Sequence, residues 1–206
     1  MLFPRQSALA LALAALTSTS CGSAQAPLAP PPAGAAPAPS TCLPGGDGYL
    51  RARLRGAFDM DIAWRDAEMQ CEGGPRPDGR GIRVSIAGPA HGDGHSLRFV
   101  FGIAKTLEGE ATHARAANVT VIFEGEKRIF ATRGDDKCTI DRLTQQRVGP
   151  LGGPNHQWRI EAHGFCVAPA TAVADDGSLL IARFDFAGRL QFPEASEEAP
   201  PNDTPG

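Results

Sequence analysis

From Leu50 to Arg65 the chain alternates with a period of two. Leu50, Ala52, Leu54, Phe58, Met60, Ile62 and Trp64 hold the even positions, and Arg51, Arg53, Arg55, Asp59, Asp61 and Arg65 the odd ones. Successive side chains of a strand point to opposite faces, whereas a helix would spread this pattern around its whole circumference. The segment therefore predicts a strand bent near Gly56, or a hairpin turning there, since glycine is the natural break in such a run. The alternation returns in Ile82/Val84/Ile86, Leu97/Phe99/Phe101/Ile103, Val119/Val121/Phe123 and Trp158/Ile160/Ala162, with a last strand from Leu179 to Phe186. Glu124-Gly125-Glu126 predicts a turn into a strand over 128–132. Asp176-Gly177 predicts a type I′ hairpin turn, because both residues accept positive φ. Trp64 and Trp158 fall at inward positions and predict core rather than ligand platforms. With 24 glycines and 18 prolines, the chain offers one short helical turn at most, over Asp66 to Gln70. The expected fold is all-β, an antiparallel β-sandwich of about seven to nine strands, with an open β-barrel as the alternative.

The N-terminus reads as an export signal. Arg5 is followed by an unbroken Ala/Leu run from Ala8 to Leu16 and by small polar residues from Thr17 to Ser20. That is the charged, apolar, small-residue order of a secretory signal, and the apolar run is far shorter than the ~20 residues that span a bilayer. Cys21 follows at once, then Gly22 and Ser23. Here the chain resembles bacterial lipoproteins, in which a lipobox places a cysteine just after the apolar run; Ser18 stands where that family usually has Leu. The resemblance covers about the first 23 residues. It implies that Cys21 is diacylated and becomes the mature N-terminus, and that Gly22 in place of Asp directs sorting to the outer membrane, facing the periplasm or the cell surface. An alternative is Ala24-Gln25-Ala26, an A-x-A site whose cleavage would discard Cys21 and leave a periplasmic or secreted protein.

The composition predicts four segments: a signal peptide over 1–20, the anchor cysteine and an Ala/Pro tether over 21–41, a β-sandwich domain over 42–192 and an acidic, Pro-rich tail over 193–206. An extended Ala/Pro stretch rises ~3.1 Å per residue, so the tether reaches roughly 50 Å. A domain of about 150 residues buries roughly 70% of its unfolded surface and can fold alone.

With Cys21 lipidated or removed, Cys42, Cys71, Cys138 and Cys166 remain. An even number in an exported chain predicts two disulfides, and no C-x-x-C pair suggests zinc or thioredoxin-like chemistry. Cys138–Val148 and His156–Cys166 flank a Gly/Pro loop. In an antiparallel hairpin the numbers of opposed residues keep a constant sum. Cys138 with Cys166 and Val148 with His156 share that sum, so the two cysteines come into disulfide reach. Cys42–Cys71 follows by elimination.

A net charge of -3 gives no basic surplus for nucleic acid. His91, Asp93 and His95 share a Gly-rich loop, and two imidazoles with a carboxylate suit zinc or copper; the plainer reading is a solvated connector. Asp59, Asp61, Asp66 and Glu68, with Asp135 and Asp136, offer hard oxygen ligands for calcium, but their spacing matches no EF-hand and a charged outer face explains them as well. Asn118-Val119-Thr120 is a glycosylation sequon within a predicted strand. Arg51, Arg53 and Arg55 form a row ~7 Å apart that can grip phosphates or carboxylates, such as lipid heads or cell-wall anions; otherwise they are a solvated face neutralised by acids on a neighbouring strand. No nucleophile elbow, HExxH helix or phosphate loop occurs. The expectation is a non-enzymatic binding or structural domain of an envelope lipoprotein, without a cofactor. It would be held to the membrane by its lipid and would meet an envelope protein or an anion of cell wall or lipid. The alternatives are a metal-binding domain on the His91-Asp93-His95 loop and a hydrolase with a site assembled from distant residues.

Overall fold

A computed structural model describes residues 42–90, 96–149 and 155–193. The chain divides into two units, Met1–Ala36 and Pro37–Gly206, and every described residue belongs to the second. Cys21, the signal, the tether and the tail beyond Pro193 lie outside the described residues, as do His91, Asp93 and His95.

Eleven strands form one antiparallel sheet that doubles over as a sandwich. They are β1 (Tyr49–Gly56), β2 (Met60–Arg65), β3 (Gln70–Pro75), β4 (Gly81–Ala87), β5 (Ser96–Ala104), β6 (Thr112–Glu124), β7 (Arg128–Ala131), β8 (Cys138–Val148), β9 (Asn155–Cys166), β10 (Ala170–Ala172) and β11 (Ser178–Pro193). One layer runs β2-β1-β11-β9-β8 and the other β3-β4-β5-β6-β7. β6 belongs to both, pairing β5 and β7 with its second half and β8 with its first. β10 bridges β11 to β7 at the opposite margin. The helical turn expected after Arg65 is a single 3-10 turn, Asp66–Glu68.

The eleven strands are two more than the upper end of the seven to nine expected. β3 has the sequence QCEGGP, with only Cys71 fully inward, and β10 is three residues long. β3 carries glycines because it lies against β11: a Cβ on Gly73 would stand 2.8 Å from the Arg189 carbonyl oxygen and the same from that of Arg83. Only a residue without a side chain lets the two layers approach this closely.

The Leu50–Arg65 alternation resolves into the β1–β2 hairpin, in which Leu54 faces Met60 and Tyr49 faces Arg65. Its turn depends on Gly56, whose φ of 121° no side chain tolerates easily and whose missing Cβ leaves room for the Ser178 carbonyl. Asp176-Gly177 lies in the loop of the β10–β11 hairpin, as expected, but the turn is not type I′. Neither residue has positive φ, and the connection is wider, closing with a bond from the Ala172 N–H to the Gly177 carbonyl.

The inward rings meet between the layers. Phe101 of β5 stacks on Phe186 of β11 at 4.5 Å and lies 5.0 Å from Phe184. Trp64 is half-buried and packs edge-on against Phe99. Trp158 also packs on the core, while its indole N–H reaches out to Glu108 at 2.7 Å.

Both disulfides are formed, Cys42–Cys71 and Cys138–Cys166. Cys138 faces Cys166 across the β8–β9 ladder, as the register argument requires. The far end differs: Val148 faces Gln157, not His156, because a bulge at Asp141 shifts the register by one. Opposite that bulge, Ala114 of β6 takes a φ of 52°. The other bridge closes an N-terminal clasp. Asp66 is buried, and its Oδ1 accepts the N–H groups of Leu43 at 2.8 Å and Gly48 at 2.9 Å.

Candidate anion-binding face

Directly opposed residues of neighbouring strands share a face. On the outer face of the β2-β1-β11-β9-β8 layer the pairings set polar side chains in rows. One row runs Arg142, His163, Asp185, Arg51. The next holds Thr144, Glu161 and Tyr49, with Arg65 beyond. On the other side of the first row stand Arg183, Arg53 and Asp61.

The predicted row of Arg51, Arg53 and Arg55 is therefore outward on β1, and acids of the neighbouring strands reach it. Asp185 of β11 lies 3.4 Å from Arg51; Asp61 of β2 lies 3.4 Å from Arg53 and 3.0 Å from Arg55. Arg183 joins them from β11 and has no ion-pair partner among the described residues. Four guanidinium groups thus share two carboxylates. Asp59, in the turn at the end of this face, accepts the Gly56 N–H instead. Between the strands is an open depression of about 270 Å³, lined by Arg51, Arg53, Asp61, Arg183 and Asp185.

Beside it lies a hydrogen-bonded network centred on Glu161. Tyr49 donates its hydroxyl to Glu161 Oε1 at 3.0 Å, and Arg159 donates to Oε2 at 2.8 Å while holding Asp47 at 2.9 Å. His163 Nε2 is 3.5 Å from Glu161 and 3.3 Å from Arg142. Arg51 lies over the Tyr49 ring at 5.1 Å and links the two clusters. The Arg159 hydrogen bond holds the Glu161 carboxyl below its ordinary range. Burial, and then the bond to Glu161, push the Tyr49 hydroxyl up to about 12. At neutral pH Tyr49 is thus a neutral donor and Glu161 an acceptor, an arrangement that holds the two side chains in place.

Tyr49 is the only tyrosine in the chain, so tyrosinate absorbance reads it alone. The expected midpoint lies far above the ordinary value of about 10 and falls towards it in Glu161→Gln; a midpoint near 10 in the unchanged chain would break the network. Because the folded value is raised, the stabilisation is complete below about pH 10 and is lost as pH rises towards 12. For Glu161 the sign is opposite: its contribution is present above the ordinary carboxyl range and disappears as pH falls through the lowered value.

The proposed calcium ligands are not brought together. Asp66 is in the clasp, Glu68 binds the Arg65 N–H, Asp135 pairs with Arg76 at 3.0 Å, and Asp136 pairs with Lys137 at 2.6 Å. Among the described residues no three His, Cys, Asp or Glu side chains are placed to hold a metal. Asn118 of the sequon donates its side-chain amide to Asp135. Arg183, Asp185 and Glu161 escape a reading of the sequence because only the pairing order β1-β11-β9 sets them beside β1. Their one local signal is that Arg183 and Asp185 alternate with Phe184 and Phe186. Comparison with known proteins finds no match by family model, by curated sequence or by solved structure.

Proposed function

We propose that the chain is an outer-membrane lipoprotein whose sandwich is a non-enzymatic module binding an anionic partner in the envelope. The observation that carries this is the outer face of β1 and β11, where four guanidinium groups meet only two carboxylates in a chain of net charge -3. A cationic patch on an acidic protein concentrates anions locally and orients the encounter. The signal and lipobox residues around Cys21 support the address, and the two bridges fit an oxidising compartment.

The Cys21→Ala chain, which lacks the lipid attachment point, separates contact by the face from insertion by the lipid. In sedimentation at low salt it is expected to bind phosphatidylglycerol vesicles or anionic cell-wall polymer, and not phosphatidylcholine vesicles. Binding should weaken steeply with added salt and be lost in the triple substitution Arg51→Gln, Arg53→Gln and Arg183→Gln. Binding to neither anionic surface, or equal binding to the zwitterionic vesicles, overturns the reading.

A further inference from the structure

Arg183 is set where it is by an irregularity in the sheet. From Tyr49 to Arg53 the β1–β11 register is constant; between Arg53 and Leu54 it slips by one, because Ala182 is an extra residue in β11. Had the pairing of Leu54 with Ile181 continued without the slip, Ala182 would face Arg53. With the bulge, Arg183 faces it instead. Bulges commonly re-aim a side chain in this way.

The outcome is two arginines directly opposed across neighbouring strands, an arrangement that is unfavourable by itself. Local acids do not relieve it. Among the described residues Asp61 is the only carboxylate paired with Arg53, and it lies nearer to Arg55, while Asp185 is engaged by Arg51. Both guanidinium groups border the open depression of about 270 Å³. Two forked donors facing one open space match the tetrahedral oxygens of a phosphate. The face's surplus of two positive charges, four guanidinium groups against two carboxylates, matches the charge of about -1.5 to -2 on a phosphate monoester at neutral pH, where a carboxylate brings one.

We propose that Arg53 and Arg183, opposed across the β1–β11 bulge, form a seat for one phosphate-class oxyanion, with Arg51 at its rim. The seat rests on the anionic-partner reading but makes a narrower claim, that one site and not diffuse charge holds the group. The phosphate can belong to a lipid head, to a polymer or to a free phosphorylated molecule.

Calorimetric titration of the Cys21→Ala chain, with both bridges formed, tests it with inorganic pyrophosphate at low salt. One-to-one binding is expected, weakened about tenfold or more by Arg183→Gln and by Arg53→Gln, and unchanged by Arg133→Gln on the β7–β8 loop. Acetate is expected to compete poorly. No binding of pyrophosphate, or an equal loss in Arg133→Gln, overturns the seat. A second arm compares vesicles containing phosphatidic acid, a monoester, with the phosphatidylglycerol vesicles. If the seat serves lipid heads, phosphatidic acid binds more tightly and Arg183→Gln removes the difference; if pyrophosphate binds at Arg183 and neither vesicle does, the ligand is a free phosphate compound. Vesicle binding that Arg183→Gln leaves intact, with no pyrophosphate binding, overturns the seat while the broader reading stands. Pyrophosphate binding at Arg183 with no binding to any anionic surface keeps the seat and removes the broader reading.

Discussion

Replacing Cys138 and Cys166 together by serine is expected to lower the free energy of unfolding by about 3–4 kcal/mol, and reduction of both bridges by roughly twice that. The bridges span 28 and 29 residues of sequence, so each removes a similar amount of freedom from the unfolded chain. A native domain of this size is stable by only about 5–15 kcal/mol, so the fully reduced chain should retain about half of its stability at most, or none. The two single-bridge variants should behave differently in the folded state. Cys138 and Cys166 sit in a long β8–β9 ladder that holds its register without them, so their loss acts mainly through the unfolded chain. Cys42 and Cys71 hold the segment that brings the Leu43 and Gly48 N–H groups onto the buried Asp66 carboxylate. Replacing that pair should also free residues 42–48 to open, exposing the Leu43 and Gly48 amides to hydrogen exchange. Urea melts of the oxidised chain, the two double variants and the reduced chain check this. A midpoint unaffected by reductant would show that the bridges contribute nothing, and equal amide protection in both double variants would remove the clasp.

The sequence carries more of this fold than of its surface, for a physical reason. Strand identity follows from a period of two, a local property, and β1, β2, β4, β5 and the second half of β6 could be read from it. The Cys138–Cys166 pairing was also legible, because a hairpin register needs only its two strands. The register broke at Asp141 because a constant sum assumes that neither strand bulges. The warning was present: the inward residues change from Cys138 and Ile140 to Leu143, from even to odd, and only an extra residue can do that. β11 shows the same change, from Leu179 and Ile181 to Phe184 and Phe186. The Arg row was visible as three outward residues on one strand, but its neighbours were not. Arg183 is 130 residues from Arg53 in number, and the strand order that joins them leaves no local trace.

Phe101→Ala is expected to cost about 3–5 kcal/mol, the range for removing a large ring from a packed interior. Phe101 is fully buried and makes ring contacts with Phe99, Phe184 and Phe186 at 4.5 to 6.0 Å. Two of those partners lie on β11, in the opposite layer, so the deleted ring leaves a gap between the layers rather than at the end of one. The backbone cannot close that gap easily, because β3 and β11 already meet at Gly73 with no Cβ to spare. Ile122→Ala is the control: Ile122 is half-buried on the outer face of β6 and should cost clearly less. The effect should also reach the arginine face. Phe184 and Phe186 alternate on β11 with Arg183 and Asp185, so the packing that holds the two rings inward fixes the direction of the two charged groups outward. Urea unfolding of both variants reads the stability, and pyrophosphate titration of Phe101→Ala, under conditions where it remains folded, reads the coupling. A loss below about 1.5 kcal/mol, the range for volume-conserving core changes, would mean that the two layers do not meet at this ring. The strand carrying Arg183 would then need some other support.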